Sequence, residues 1–181
     1  MKITIDQKNF ELMIDYHQIK KRTRLISIQL NVTYENQYPV FIGVLNGCFM
    51  FMADLMKHIT IPCEISFVKL ASYNGTVQQS QVNELIGLET DLKDREVVIV
   101  EDIIDSGNSL KHTLDLVNAH QPASVAVCTL LLKPGAVLHQ FDNIAYVGFE
   151  IANDFVVGYG LDYNGAGRTL PAVYRELKNE K

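Results

Sequence analysis

The stretch from Val97 to Ser109, VVIVEDIIDSGNS, gathers the residue types best suited to chemistry in this chain. Glu101, Asp102 and Asp105 supply carboxylates, and Ser106, Gly107, Asn108 and Ser109 follow at once. The second half suits a phosphate, with hydroxyls, a flexible glycine and the free amides of a helix N-terminus. The first half is acidic and would repel one. A ligand that satisfies both carries a phosphate at one end and hydroxyls or a metal at the other. A ribose 5-phosphate fits: Glu101 and Asp102 would accept hydrogen bonds from its hydroxyls, and the amides of 106–109 would hold the phosphate. Asp105 would lie between them, free for proton transfer.

Other readings of these residues exist. Acidic side chains after a strand also form magnesium clusters or phospho-acceptor sites, and a solvated strand-to-helix turn needs no ligand. Three carboxylates beside a Ser/Gly-rich turn exceed what a turn requires. There is no GxxxxGK[ST] and no GxGxxG, which argues against a P-loop and a dinucleotide fold.

The flanking elements must position this loop. Val97–Val100 read as a strand buried on both faces. Leu110, Leu114 and Val117 fall on one helical stripe, with Asn108 or Ser109 as its N-cap. The loop thus leaves the carboxyl end of a strand, where open α/β sheets bind ligands.

Composition narrows the class. A chain of 181 residues, 48% hydrophobic and 20% charged, predicts one soluble domain with a sizeable core. The net charge of -5 and the lack of a basic run argue against nucleic acid and an anionic membrane surface as partners. No apolar run approaches the roughly 18 residues of a membrane span, and no signal-peptide pattern is seen. Cys48, Cys63 and Cys128 leave one thiol unpaired, so a reducing cytoplasmic setting is expected.

Along the chain, residues 1–14 carry no clear pattern. Asp15 caps a helix with Ile19, Thr23, Ile26 and Leu30 on one stripe, and Lys20, Lys21, Arg22 and Arg24 read most simply as its solvated face, with a subunit contact as the alternative. Val40–Leu45 is a strand broken at Asn46-Gly47, followed by a helix over about 49–57. Cys48 near that helix N-terminus is placed to have a lowered pKa. Ile61–Leu70 reads as a strand. The polar stretch 71–83 has the character of a mobile lid, and Val82–Leu88 returns as a strand. Ser124–Leu132 is another buried strand with Lys133 at its carboxyl end, where it reads either as a solvated charge or as a ligand contact, and Ala145–Phe149 is a short one. Phe155–Asp162, FVVGYGLD, reads as a further strand end, and a short amphipathic tail follows Leu170-Pro171.

VVIVEDIIDSGNSL resembles the phosphoribosyl pyrophosphate-binding motif of type I phosphoribosyltransferases. Its Glu-Asp-Ile-Ile-Asp form is similar to that of the hypoxanthine-guanine members, and the likeness extends over about residues 8–175. The resemblance implies an α/β fold: a twisted, mainly parallel sheet flanked by helices, all within one 1–181 domain. A small hood from the N- and C-terminal segments would cover the base. It implies transfer of 5-phosphoribosyl to N9 of hypoxanthine or guanine, with residues Glu101, Asp102, Ile103, Ile104, Asp105, Ser106, Gly107, Asn108 and Ser109 around the ribose phosphate. Asp105 would be the base. Lys133 would read the 6-oxo group, Phe155 would stack on the purine and the Val156 backbone would meet the base edge.

Mg2+ is the implied cofactor, with Glu101, Asp102 and Asp162 as its residues. Arg168, Asn46 and Gly47 would receive pyrophosphate. The family has Lys or Arg where this chain has Asn46, often with a cis peptide at that turn. Ser72 and Tyr73 resemble the lid, and the glycine-rich 164–167 is expected to be looser than in relatives. A homodimer or homotetramer acting on small-molecule substrates is implied. The alternative is a regulator of the same fold that senses nucleotide and binds RNA or protein.

Overall fold

The computed structural model describes residues 1–70 and 84–177. The lid stretch 71–83, with Ser72 and Tyr73, lies outside the described residues. Strands β1 (Lys2–Ile5) and β2 (Lys8–Ile14) form an antiparallel hairpin where the sequence shows no clear pattern. Asp6 and Gln7 turn it with φ of 46° and 65°. Such two-residue turns favour Asn-Gly, so Asp-Gln gives little signal.

Helix α1 (Tyr16–Thr33) begins as expected. Asp15 accepts the Gln18 amide at 2.9 Å, and Gln18 Oε1 accepts the Asp15 amide at 3.0 Å, which closes a capping box. Ile19, Thr23, Ile26, Ser27 and Leu30 are buried, and the four basic residues are exposed.

Strand β3 (Val40–Leu45) leads through Asn46-Gly47 into α2 (Phe49–Met56). Strand β4 (Glu64–Leu70) starts three residues later than its apolar run, because its ladder begins where Val40 meets Glu64. After β5 (Glu84–Ile86), the central strand β6 runs over Glu96–Ile104. It is longer than the sequence suggests, because β7 (Ser124–Leu132) continues to pair with it beyond Glu101, matching Ile103 to Leu131 and Ile104 to Leu132. Glu101 and Asp102 therefore stand on a strand and not in the loop. Helix α3 (Asn108–Ala119) also begins earlier than expected. Its N-cap is Gly107, at φ +83° and without a side-chain cap, in place of Asn108 or Ser109.

Strand β8 (Ile144–Glu150) completes a six-stranded sheet of order β5-β4-β3-β6-β7-β8, parallel except for β5. Val98 and Val100 of β6 enter a core shared with α1 and α2, while Val97 and Ile99 enter a second core with α3. This is helices on both faces of a parallel sheet.

The last elements differ from expectation. Only Val156–Val157 of the FVVGYGLD stretch is strand (β9), and the tail contains β10 (Val173–Glu176). Both join β1 and β2 in a second, antiparallel sheet of order β1-β2-β10-β9, around a small core of Phe10, Val157, Ala172 and Tyr174. Among the described residues no helix is long and apolar enough to cross a membrane.

Candidate active site

Strand ends of the parallel sheet and one edge of the antiparallel sheet enclose an open cleft. Asp102, Ile103, Asp105, Lys133, Phe155, Val156, Asp162 and Arg168 line it together with Leu161. Sequence positions as far apart as 102 and 168 thus meet at one place.

The acidic floor comes from β6. Glu101 is buried at 4% exposure, and its Oε1 has no hydrogen-bond partner among the described residues. Burial, and then the charge of Asp102, push its carboxyl well above the usual range. Burial also raises Asp102 to about 6, against the pull of backbone amides and of Arg168, while Asp162 adds to the rise. Ile104 faces the α3 core, and its carbonyl accepts the Lys133 amide at 2.9 Å.

An unfolded Asp102 ionises near 3.8. Between that value and about 6 the folded chain holds a proton that the unfolded chain releases, so stability falls as pH rises through this window. In metal-free buffer, Asp102→Asn should therefore melt higher than the parent near neutral pH, on the order of 5 °C. The gap should close toward about pH 4. Scanning calorimetry across pH checks this, and a gap that does not vary with pH would contradict it.

The cationic side comes from β7. Lys133 is only 6% exposed, and its Nζ lies 2.6 Å from Asp105 Oδ2. Burial removes the reading of Lys133 as a solvated charge. Asp105 is the exposed partner, with its side chain about half accessible. Beyond it, Asn108 donates its amide to Ser106 Oγ at 3.4 Å, and the Leu138 amide caps the Ser106 carbonyl at 3.0 Å. The first-turn amides of α3 have no partner within the helix and point to the loop, as an anion site requires.

The third wall pairs Asp162 with Arg168. Arg168 Nη2 is 2.6 Å from Asp162 Oδ1, its Nη1 donates to the Gly160 carbonyl at 2.6 Å, and Asp162 Oδ2 accepts the Gly165 amide at 2.8 Å. Phe155 stands at the rim, 41% exposed, next to the buried Val156.

The Leu45–Asn46 peptide bond is cis. Asn46 is exposed and Gly47 buried. A Cβ on Gly47 would run into the Asp102 carboxylate, and one on Gly160 would run into the Gly47 carbonyl. The two turns are therefore in backbone contact, close beside the acidic floor.

Among the described residues, no three His, Cys, Asp or Glu side chains are grouped so as to hold a metal ion. The donor set still suits Mg2+, which takes one or two carboxylates and completes its shell with substrate oxygens and water. The unpartnered Glu101 oxygen and the raised Asp102 carboxyl are the acids such a charge would relieve.

Sequence reasoning missed the parts that hold these turns together. Tyr159 is fully buried with φ +50°, and its hydroxyl donates to Asp54 Oδ2 on α2 at 2.7 Å. The signal was available: Asp54 is the single carboxylate in the apolar helix FMFMADLM. Cys48 corrects an expectation in the opposite direction. It is buried, and burial with the neighbouring carboxylates raises its thiol strongly, so it is inert.

Comparison with known proteins matches this geometry. A family model described as the phosphoribosyl transferase domain matches residues 14–164. The hypoxanthine-guanine phosphoribosyltransferase of Bacillus subtilis is 39% identical over 165 residues, covering 90% of this chain and 91% of that one. The chain belongs to the hypoxanthine-guanine phosphoribosyltransferase family. The hypoxanthine phosphoribosyltransferase of Salmonella typhimurium is 40% identical over 167 residues, with 90% and 93% covered. A crystal structure of a hypoxanthine-guanine phosphoribosyltransferase from Bacillus anthracis superposes with a TM-score of 0.85 at 33% identity, over 93% of this chain and 97% of that one. The type I phosphoribosyltransferase fold expected from the Glu101–Ser109 motif is thus the observed one, and its motif lies within the matched segment.

Proposed function

We propose that this member of the hypoxanthine-guanine phosphoribosyltransferase family is a purine salvage enzyme. It transfers 5-phosphoribosyl from phosphoribosyl pyrophosphate to N9 of hypoxanthine or guanine, giving IMP or GMP and pyrophosphate. The observation that carries the choice of base is Lys133, a buried ammonium in the cleft wall beside Phe155. An ammonium has donors only, so it matches the 6-oxo group and not the amino group of adenine. It has three hydrogens, and so can keep its bond to Asp105 while donating to the base.

In the reaction the bond from ribose C1 to pyrophosphate breaks and a bond from C1 to N9 forms. The proton leaving the purine passes to Asp105, which acts as general base near N7 or N9. Phe155 stacks on the ring, and the Val156 backbone meets its edge. Residues 106–109 anchor the 5-phosphate, while Glu101 and Asp102 orient the ribose. Arg168 and the amides of Asn46 and Gly47 receive pyrophosphate. Glu101, Asp102 and Asp162 are the residues that would hold Mg2+, which when bound would supply charge neutralisation for the leaving group. Positioning and electrostatic stabilisation provide the acceleration, without a covalent enzyme intermediate. The antiparallel sheet serves as the hood over the base within a single 1–181 domain. Ser72 and Tyr73 belong to the lid of this proposal. A cytoplasmic homodimer or homotetramer, with small-molecule substrates as its partners, is the state carried over from the family resemblance.

Ultraviolet-monitored nucleotide formation with hypoxanthine, guanine, xanthine and adenine tests the reading. Turnover of the first two and none of adenine is expected, and adenine turnover would overturn the role of Lys133. A related prediction concerns the missing cation at the pyrophosphate turn. Asn46→Lys should lower the KM for phosphoribosyl pyrophosphate and the inhibition constant of pyrophosphate about three- to tenfold, the size of one added charge-assisted contact. Unchanged constants would show that Arg168 and the backbone amides suffice.

A further inference from the structure

Residues outside the family match reach the base end of the cleft. The match starts at residue 14 and ends at 164, so β1, nearly all of β2, and β10 lie beyond it. Lys8 opens β2, opposite Ile5 in the hairpin ladder. Its Nζ is 2.9 Å from Glu176 Oε1 on β10, 4.7 Å from the ring centroid of Tyr163 and 5.5 Å from that of Phe155. The two rings meet edge to face, with centroids 5.6 Å apart at 79°. The same hairpin ties down the segment beyond them. Asn164 Nδ2 donates to Asp6 Oδ2 at 2.6 Å, and Ile5 Cδ1 stands 3.1 Å from where a Cβ on Gly167 would lie. The glycine-rich 164–167 is thus braced from the hairpin.

We propose that Lys8, anchored by Glu176, is a positioning residue that sets the ring of Phe155 at the angle used for stacking on the purine. This rests on the reading of Phe155 as the stacking ring. A phenyl ring exposed at a cleft rim samples several rotamers, and each must be given up when a base binds. A cation over the ring and an aromatic edge against it select one orientation before the base arrives. The ordering acts on purine affinity and leaves the phosphoribosyl end untouched, because the ionic and cation–π partners of Lys8 among the described residues are Glu176, Tyr163 and Phe155.

The test is initial-rate kinetics on the full chain, with guanine and phosphoribosyl pyrophosphate varied separately, and melting temperatures taken alongside. Lys8→Met should raise the KM for guanine about three- to fivefold, the range of an exposed cation–π contact. The kcat and the KM for phosphoribosyl pyrophosphate should stay within about twofold. Lys8→Arg should restore guanine binding, and Glu176→Gln, which loosens the anchor without touching the rings, should give a smaller rise in the same constant. Should Lys8→Met fail to fold, Glu176→Gln carries the test. Both KM values rising together with a fall in melting temperature would reduce Lys8 to hood support and overturn the proposal. Phe155→Leu separates the two levels. If it raises the KM for guanine while Lys8→Met does not, only the role of Lys8 falls. If neither variant changes that constant, the stacking reading falls as well.

Discussion

Asp105→Asn should lower kcat with hypoxanthine by about 10²- to 10⁴-fold, the usual contribution of a positioned general base. The substitution is close to isosteric, and the amide oxygen still accepts from Lys133 Nζ, which lies 2.6 Å from the native carboxylate. The cleft wall therefore persists, and neither KM should move by more than a few fold. What is lost is the ability to take the purine proton as C1 bonds to N9. Steady-state kinetics with both substrates varied would show this as a fall in kcat and kcat/KM together, the pattern of an interaction made only in the transition state. A variant with parental kcat would remove Asp105 as the base and leave the proton to water or a substrate oxygen. A variant with parental kcat and a raised KM for purine would make Asp105 a holder of Lys133 and nothing more.

Gly160→Ala should be almost as damaging by a different route. Gly160 has φ +103°, and a Cβ there would run into the Gly47 carbonyl, which is backbone and cannot rotate away. The left-handed conformation alone costs an alanine about 1–3 kcal/mol. Relief of the clash must part the two turns. Gly160 also bonds Arg168 twice, its amide donating to the Arg168 carbonyl at 2.9 Å and its carbonyl accepting from Nη1 at 2.6 Å. A displaced Gly160 therefore moves the guanidinium that pairs with Asp162. We expect a melting temperature lower by about 2–10 °C and a KM for phosphoribosyl pyrophosphate raised about tenfold or more, since misplacement near 1 Å is costly in such sites. Gly165→Ala is the control. That residue also has positive φ, at +80°, but an added Cβ meets nothing within 4 Å. Equal losses in the two variants would mean that backbone conformation, and not contact between the turns, sets the effect.

The parallel sheet was legible because its central strands β3, β6 and β7 are short apolar runs rich in β-branched residues and buried on both faces, with a turn or helix signal at the end. Val40–Leu45 and Ser124–Leu132 appear with the expected bounds. The carboxylates of β6 were legible as chemistry and misread as loop. A ladder with β7 outlasts the apolar run, and a sequence does not show how long its partner strand is. The antiparallel sheet was hardly legible. Its hairpin turns on Asp6-Gln7, its third strand is two residues long, and its pairing joins residues more than 150 apart, as between Tyr174 and Leu12. Residues singled out by type, such as Asp105 and Lys133, do meet in one cleft; those placed by burial or close approach, such as Tyr159 and Gly160, were not singled out. Their roles depend on which neighbour occupies the space, and spacing along the chain carries no record of that.

The hood is held by a core of Phe10, Val157, Ala172 and Tyr174, separate from the two larger cores of the parallel sheet. A unit with so little buried apolar surface opens at lower free energy than the sheet beneath it. The walls of one cleft therefore differ in rigidity: Asp102 and Lys133 sit at strand tips of a deep core, and Phe155 beside a shallow one. This arrangement separates what selection can alter. Under the proposed function, substitutions in the antiparallel sheet would reach the Phe155 side of the base site and leave the strand tips that carry Asp102 and Lys133 in place, so stacking on the base is the half of the site most open to change.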